Sequence, residues 1–141
     1  MSFNKLLIHF VWFTKDRKPY LKGDNLKIMI NHIKENAEEK GIKILVINGH
    51  ENHLHAIISM NSDQTTANIM NLIKGESSHW ANKNLGLSEK IYWQSEYFAV
   101  SVSQSLFPKV FNYILKQEEH HKIKSFDEEY REFIEKYGFE D

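Results

Sequence analysis

The chain has 141 residues and a formal net charge of −1, from 18 Lys and Arg against 19 Asp and Glu. This length predicts one domain over residues 1–141, and the near-neutral charge argues against binding nucleic acid through bulk positive charge alone. The lack of cysteine excludes disulfide scaffolds and thiolate metal sites and fits a reducing, cytoplasmic location, and no apolar run is long enough to cross a membrane.

The first half of the chain predicts a strand, a helix and a hairpin. Residues 5–13 are a continuous apolar run, which predicts a strand covered on both faces. Asp24 can cap a helix whose apolar residues recur at i, i+3, i+4 and i+7 and which ends at Gly41. Residues 42–47 and 53–60 predict two strands, joined by a connection over 48–52 that contains the turn-forming pair Asn48-Gly49.

The second half predicts a strand among three helices. One helix runs from Thr65 or Thr66 towards Trp80, a strand is best defined over 97–102, and a third helix starts near Ser105 and Pro108. A charged helix over 125–137 follows. The order β-α-β-β-α-β followed by helices is ferredoxin-like, so we expect an α+β fold with an antiparallel sheet, two helices on one face and a C-terminal helical extension.

The strand over 53–60 carries two histidines on one face. Because side chains alternate along a strand, His53 and His55 point the same way, whereas the opposite face is apolar and belongs against the helices. Two imidazoles two residues apart suit chelation of one metal ion. The alternative interpretation is a pair of partly exposed strand histidines.

The third predicted helix offers a nucleophile and a further ligand. Tyr113 and Gln117 are four residues apart, so they stack on one side of the helix, away from its apolar stripe. A phenol can attack a phosphodiester and form a phosphotyrosine, which stores the energy of the broken bond. A divalent ion held by two imidazoles and an amide oxygen would polarise that phosphate. Taken alone, the two side chains are more typical of an ordinary boundary tyrosine and a solvated glutamine than of a site.

These residues belong to a wider pattern. His53-Leu54-His55 is a His-hydrophobic-His motif, and Tyr113 with Gln117 forms Y-x-x-x-Q. Around them, in order, lie the segments HFVWFTKDRKPYL, GHENHLHAIISM, LIKGESS, WQSEYFAVSVS and YILKQEEHH. In these motifs, over nearly its whole length, the sequence resembles the single-tyrosine HUH transposases of bacterial insertion sequences, whose close relatives are associated with repetitive extragenic palindromes.

The resemblance implies a role for each motif residue. Tyr113 would be the nucleophile that opens one DNA strand and becomes linked to its 5′ phosphate. His53, His55 and Gln117 would bind the catalytic Mg²⁺ or Mn²⁺. Family members cut and rejoin single-stranded DNA beside imperfect hairpins, as homodimers in which the tyrosine helix of one subunit can complete the other subunit's site. The chain departs from many relatives at Asn52, where they carry an acidic residue.

Other polar residues allow two interpretations each. The densest basic cluster consists of Lys15, Arg17, Lys18 and Lys22, and Lys74 precedes Gly75. Four of these, Lys15, Arg17, Lys18 and Lys74, are candidate DNA contacts; the alternative is ordinary solvated side chains. His9 fits a satisfied core imidazole. Three further histidines near the motifs fit surface residues better than outer partners of the site, namely His50, His120 and His121.

The acidic stretches 118–119 and 127–129 favour a solvated face rather than a site. Two alternatives to the transposase remain open. One is a DNA-hairpin-binding protein that keeps this fold without cleaving, and the other is a small zinc hydrolase that uses His50, His53 and His55. The four intact motif residues favour the transposase over the hairpin-binding protein, and the resemblance favours it over both alternatives.

Overall fold

Four strands form one antiparallel sheet: β1 (Leu6–Thr14), β2 (Lys43–His50), β3 (His53–Met60) and β4 (Trp93–Ser101). Their order across the sheet is β2-β3-β1-β4, so β1 and β3 lie in the centre. The computed structural model describes residues 3–121 and 124–138, apart from the side chains of Glu118 and His120. The strand order confirms the predicted ferredoxin-like arrangement.

Two long helices, α1 (Asp24–Glu39) and α2 (Thr66–Asn84), pack on one face of the sheet. The side chains of Trp12, Leu54 and Ile58 point into this layer and are fully buried. The hydroxyl of Thr65 caps α2 by accepting a hydrogen bond from the backbone N–H of Asn68 at 3.1 Å. Among the described residues, no helix is both long and apolar enough to span a membrane.

Three C-terminal helices cover the other face: α3 (Phe107–Leu115), α4 (Gln117–His120) and α5 (Phe126–Tyr137). Ile114 of α3 is fully buried against Ile57 of β3. In α5, Phe126 and Phe133 pack on Val11 of β1 and its neighbours. The predicted third helix is divided in the structure: α3 ends at Leu115, and α4 begins at Gln117. Because α3 and α5 bury their apolar stripes here, one chain covers both faces of its own sheet.

The hairpin between β2 and β3 differs from its prediction. The sequence placed the turn around Asn48-Gly49, which is wrong, because β2 continues to His50 and pairs with His53. Gly49 lies inside the strand, opposite Leu54. A Cβ atom at Gly49 would lie 2.2 Å from the carbonyl oxygen of His53. Because Gly49 has no side chain, the backbones of β2 and β3 can approach closely at this point. Close backbone approach is a common reason for glycine inside a strand.

Two glycine substitutions test this interpretation. Gly49→Ala should lower the free energy of unfolding by about 1–3 kcal/mol, because the β2–β3 pair must move to admit the methyl group. Gly75→Ala should raise it by about 0.5–1 kcal/mol, because Gly75 lies inside α2 with open space around it. Urea unfolding of both variants measures the difference. A Gly49→Ala protein as stable as the parent would contradict the close approach.

Candidate metal and tyrosine site

β3 presents His53 and His55 to the C-terminal helices, and neither residue has any solvent exposure. Each ring is held through Nδ1. His53 Nδ1 lies 2.8 Å from the side-chain oxygen of Asn52, and His55 Nδ1 lies 2.9 Å from Nε2 of His9. Since the Asn52 oxygen only accepts hydrogen bonds, we assign the proton of His53 to Nδ1. Nε2 of His53 is then left with a lone pair that points towards α4.

The C-terminal helices bring Tyr113 and Gln117 to these rings. The phenol of Tyr113 donates a hydrogen bond to Glu129 Oε1 at 2.5 Å, and its ring lies edge-on to His55 with 5.6 Å between ring centroids. Gln117 is fully buried, with Oε1 3.1 Å from Nε2 of His53. Its amide nitrogen lies 3.5 Å from the carbonyl oxygen of Tyr113, so the two residues remain stacked across the break between α3 and α4. The four motif residues therefore converge within one chain.

Glu129 of α5 is a member of this cluster that the sequence reasoning missed. Its assignment to a solvated face is wrong, because only 2% of Glu129 is exposed. Oε1 lies 2.6 Å from His55 Nε2, and Oε2 lies 2.7 Å from His121 Nε2 and 3.9 Å from His53 Nε2. A signal was available: Glu129 lies three residues after Phe126 and four before Phe133, on the apolar side of the helix.

Burial and charge set the protonation of this cluster. Burial, reinforced by the neighbouring His55, lowers the pKa of His53 well below its ordinary value, so the ring is neutral. Burial raises the pKa of Glu129, but its contacts with His121 and His55 outweigh this and hold the pKa below its usual range. Burial and the Glu129 charge both raise the pKa of the Tyr113 phenol. The cluster therefore combines neutral imidazole, carboxylate and protonated phenol.

The donor set fits a divalent metal ion. His53, His55 and Glu129 each offer one ligand atom, and these atoms lie within 4.8 Å of one another. Within the described ranges, His55 Nε2 and Glu129 Oε2 are buried and make no well-directed hydrogen bond, although other polar atoms lie close to both. Buried polar atoms without directed partners are uncommon unless an ion completes them. Imidazole nitrogen and carboxylate oxygen are ligands that Mn²⁺, Zn²⁺ and Mg²⁺ accept.

Distances between the ligand atoms agree with this fit. Around an octahedral ion with bonds of about 2.1 Å, adjacent ligands lie about 3.0 Å apart and opposite ones about 4.2 Å apart. The distances between Nε2 of His53 and its neighbours are 3.1 Å to Gln117 Oε1 and 3.9 Å to Glu129 Oε2. The distance from His55 Nε2 to Glu129 Oε1 is 2.6 Å. The three distances therefore lie on both sides of the value of about 3.0 Å for adjacent ligands. Gln117 Oε1 lies at the distance of an adjacent ligand from His53 Nε2 and is a candidate fourth ligand.

The other histidines near the motifs surround this cluster. His9 is buried and contacts His55, as expected for a satisfied core imidazole. The expectation that His121 lies on the surface is wrong, because its ring contacts both Gln117 and Glu129. His50 stacks on His121 with 5.3 Å between ring centroids. The side chain of His120 lies outside the described residues.

The candidate DNA contacts lie elsewhere, and three of the four already have protein partners. Lys18 pairs with Glu89 at 2.8 Å, and the Lys74 ammonium donates to the carbonyl oxygens of Gln94 and Ser95. Lys15 is exposed. A DNA-binding role for Lys18 or Lys74 would require these contacts to break.

Arg17 holds α5 in place. It pairs with Asp127 at 3.1 Å, and its guanidinium lies 4.5 Å from the ring centroid of Phe13 and 4.9 Å from that of Tyr130. Asp16 and Arg17 both have positive φ, at 59° and 57°, a conformation that costs non-glycine residues about 1–3 kcal/mol each. The contacts of Arg17 with Asp127 and Tyr130 link the loop after β1 to the helix that bears Glu129.

Comparison with known proteins identifies relatives of this chain. Residues 2–117 match the family model described as "Transposase IS200 like". The fold is similar to the crystal structure of a candidate transposase from Deinococcus radiodurans R1, with 18% identity, a TM-score of 0.62, and 82% of this chain and 93% of that one covered. It is also similar to a REP-associated tyrosine transposase bound to a REP hairpin, with 17% identity, a TM-score of 0.64, and 86% of this chain and 72% of that one covered. No curated protein matches the sequence significantly.

The buried imidazoles predict acid sensitivity. Burial, together with His55, lowers the pKa of His9 from 6.5 to about 3, so below pH 6.5 the unfolded chain takes up a proton that the folded chain does not. Stability is unaffected above pH 6.5 and falls by about 1.4 kcal/mol per pH unit between 6.5 and 3 from this group. His9→Gln should reduce that slope, whereas replacing the exposed His79 with Gln should not. Equal slopes, measured by urea unfolding, would contradict a neutral His9.

Proposed function

The chain belongs to the IS200-like transposase family, and we propose that it cleaves and rejoins single-stranded DNA through a 5′-phosphotyrosine at Tyr113 with a divalent metal. The observation that carries this proposal is the carboxylate of Glu129. One of its oxygens lies 2.5 Å from the Tyr113 phenol and 2.6 Å from His55 Nε2. The proposed nucleophile, Tyr113, and a proposed metal ligand, His55, therefore contact the same oxygen of Glu129.

The proposed metal ligands are Nε2 of His53, Nε2 of His55 and the carboxylate of Glu129, with Oε1 of Gln117 as a fourth. Asn52 and His9 orient the two rings through their Nδ1 atoms, as outer partners of metal-bound histidines commonly do. Mg²⁺ or Mn²⁺ bound there would supply positive charge to a scissile phosphate. Either ion accepts such a mixture of nitrogen and oxygen ligands.

In the cleavage step, the oxygen of Tyr113 forms a bond to phosphorus while the bond from phosphorus to the 3′ oxygen breaks. The phenol proton passes to Glu129 Oε1, its hydrogen-bond partner. A proton then passes from Glu129, through solvent, to the departing 3′ oxygen, which ends as a hydroxyl and leaves Glu129 ionised again. The raised pKa of Tyr113 and the lowered pKa of Glu129 keep the proton on the phenol at rest. Proton transfer must therefore accompany attack, and reversal of the step with another 3′ hydroxyl rejoins the strand.

The proposed DNA partner is a single strand with hairpin ends. A structurally similar tyrosine transposase is bound to a REP hairpin, and the sequence motifs resemble the same group. We also propose that the protein works as a homodimer, as its resemblance implies. Because one chain brings Tyr113 beside its own His55, a dimer with shared sites would have to exchange α3 between subunits.

One observation favours a second candidate, a hairpin-binding protein without cleavage activity. His53, His55 and Gln117 have no exposure, and Phe126 and Phe133 of α5 pack against the rings of His53 and His55. A site fixed in this closed arrangement would leave DNA binding intact and prevent cutting. The two candidates differ in one product, the covalent protein–DNA adduct.

Adduct formation tests the proposed reaction. Oligonucleotides that cover both strands of the DNA flanking the gene, incubated with Mn²⁺, should give a species that persists on denaturing gels. Tyr113→Phe should abolish it because the attacking oxygen is removed. Tyr97→Phe, a matched loss of a hydroxyl on the opposite face of the sheet, should retain it. An adduct that survives Tyr113→Phe excludes this nucleophile, and DNA binding without any adduct supports the second candidate.

Metal affinity tests the role of Glu129. Glu129→Gln keeps the size of the side chain but removes a charged ligand, so the Kd for Mn²⁺ should rise at least about 10-fold, the lower end of effects seen for outer-sphere partners. Glu128→Gln is the matched control: it makes the same replacement at the exposed residue before Glu129 and should leave the Kd unchanged. Titration followed by Mn²⁺ electron paramagnetic resonance measures both. An unchanged Kd in Glu129→Gln would remove this carboxylate from the ligand set.

A further inference from the structure

A cleft of about 260 Å³ separates α3 from α5. Its walls include Tyr113 and Glu129, and His9 of β1 also contributes to its lining. These residues belong to the site described above or contact it directly. The cleft therefore opens onto the proposed reacting groups.

The cleft matters because the metal ligands are otherwise sealed. His53, His55 and Gln117 have no exposure, whereas Tyr113 is only partly buried. A phosphate that is to meet the Tyr113 oxygen must approach past the residues beside it. Among the described cavities, this cleft is the one that Tyr113 lines.

Two lysines provide positive charge at the cleft. Lys109 lies one helical turn before Tyr113, and Lys136 lies seven residues after Glu129, so both share a helix side with a site residue. Both are exposed, and within residues 3–121 and 124–138 neither forms an ion pair with a carboxylate. Glu132 also lines the cleft, but its carboxylate pairs with Lys124. Against the Glu129 carboxylate, Lys109 and Lys136 leave one net positive charge at the cleft, which complements a phosphate.

The outer part of the cleft is apolar and partly exposed. Tyr137 is 39% exposed and stacks on Phe133 with 6.0 Å between ring centroids. Leu106, on the α3 side, is 53% exposed. An exposed aromatic ring backed by another is a typical platform for an unpaired base.

We propose that the cleft between α3 and α5 binds the nucleotide adjoining the scissile phosphate, with its base against Tyr137 and its phosphate between Lys109 and Lys136. This inference rests on the proposed function for the identity of the ligand, single-stranded DNA. It adds residues that the sequence motifs do not include. The basic loop at residues 15–18 has no part in it.

Binding of a fluorescein-labelled oligothymidylate to the full chain tests the cleft without requiring cleavage. The double variant Lys109→Gln/Lys136→Gln should reduce the slope of log Kd against log salt by about 0.7, the value for one phosphate contact on a single strand. Tyr137→Leu should raise the Kd about 10-fold through lost stacking, with little change in slope. The matched control Lys27→Gln/Lys34→Gln removes two exposed lysines of α1, across the sheet, and should change neither value.

Photo-cross-linking with 5-iodouracil in the same oligonucleotide locates the base, and thermal melts confirm that each variant is folded. Cross-links on Tyr137 or Phe133 support the proposal. Cross-links confined to residues 15–20 or 89–92, or a salt slope that falls equally in the α1 control, overturn it. These outcomes distinguish the cleft proposal from the proposed reaction. An adduct at Tyr113, together with normal binding by the cleft variants, contradicts only the cleft proposal. Cross-links in the cleft without any adduct contradict only the proposed reaction.

Discussion

The arrangement depends on one buried carboxylate. Glu129 is 2% exposed, and its oxygens contact the Tyr113 phenol and the rings of His55 and His121. A charge removed from water costs several kcal/mol unless other groups compensate it. Here a phenol and imidazoles do so, and they are the groups that the proposed chemistry needs. The contacts that compensate the buried charge of Glu129 allow α5 to pack against the sheet. The same contacts bring the residues of the candidate site together.

Helix α5 has two effects that oppose each other. Its phenylalanines and Arg17 fix it to β1 and the loop that follows, which positions Glu129. The same packing excludes solvent from His53 and His55 and so lowers the pKa of His53. Neutral imidazoles are better metal ligands, but a fully covered site needs a route for substrate. The cleft between α3 and α5 reaches Tyr113 and Glu129, and it is the proposed route.

Much of this structure was predictable because the spacing of residues along a strand or a helix determines which side chains share a face. The alternation in β3 placed His53 and His55 together, and the spacing of Tyr113 and Gln117 survived even the break between α3 and α4. Glu129 was missed because it lies in an acidic run, where local composition outweighed its place on the apolar side of α5. The turn was misplaced at Gly49 because a glycine needed for close strand approach is indistinguishable, in sequence alone, from one needed for a turn. Which protein groups would pair with Arg17 and Lys18 depends on tertiary contacts 110 and 71 residues away.

The central claim is that one cation is bound between the two β3 imidazoles with the tyrosine oxygen beside it. A crystal grown with Mn²⁺ and measured for anomalous scattering tests this directly. The account predicts one anomalous peak about 2.0–2.3 Å from Nε2 of both His53 and His55, with Glu129 and Tyr113 on the same side of the ion. Mn²⁺ bound only at other residues, or ring nitrogens of His53 and His55 turned away from a common point, would contradict it.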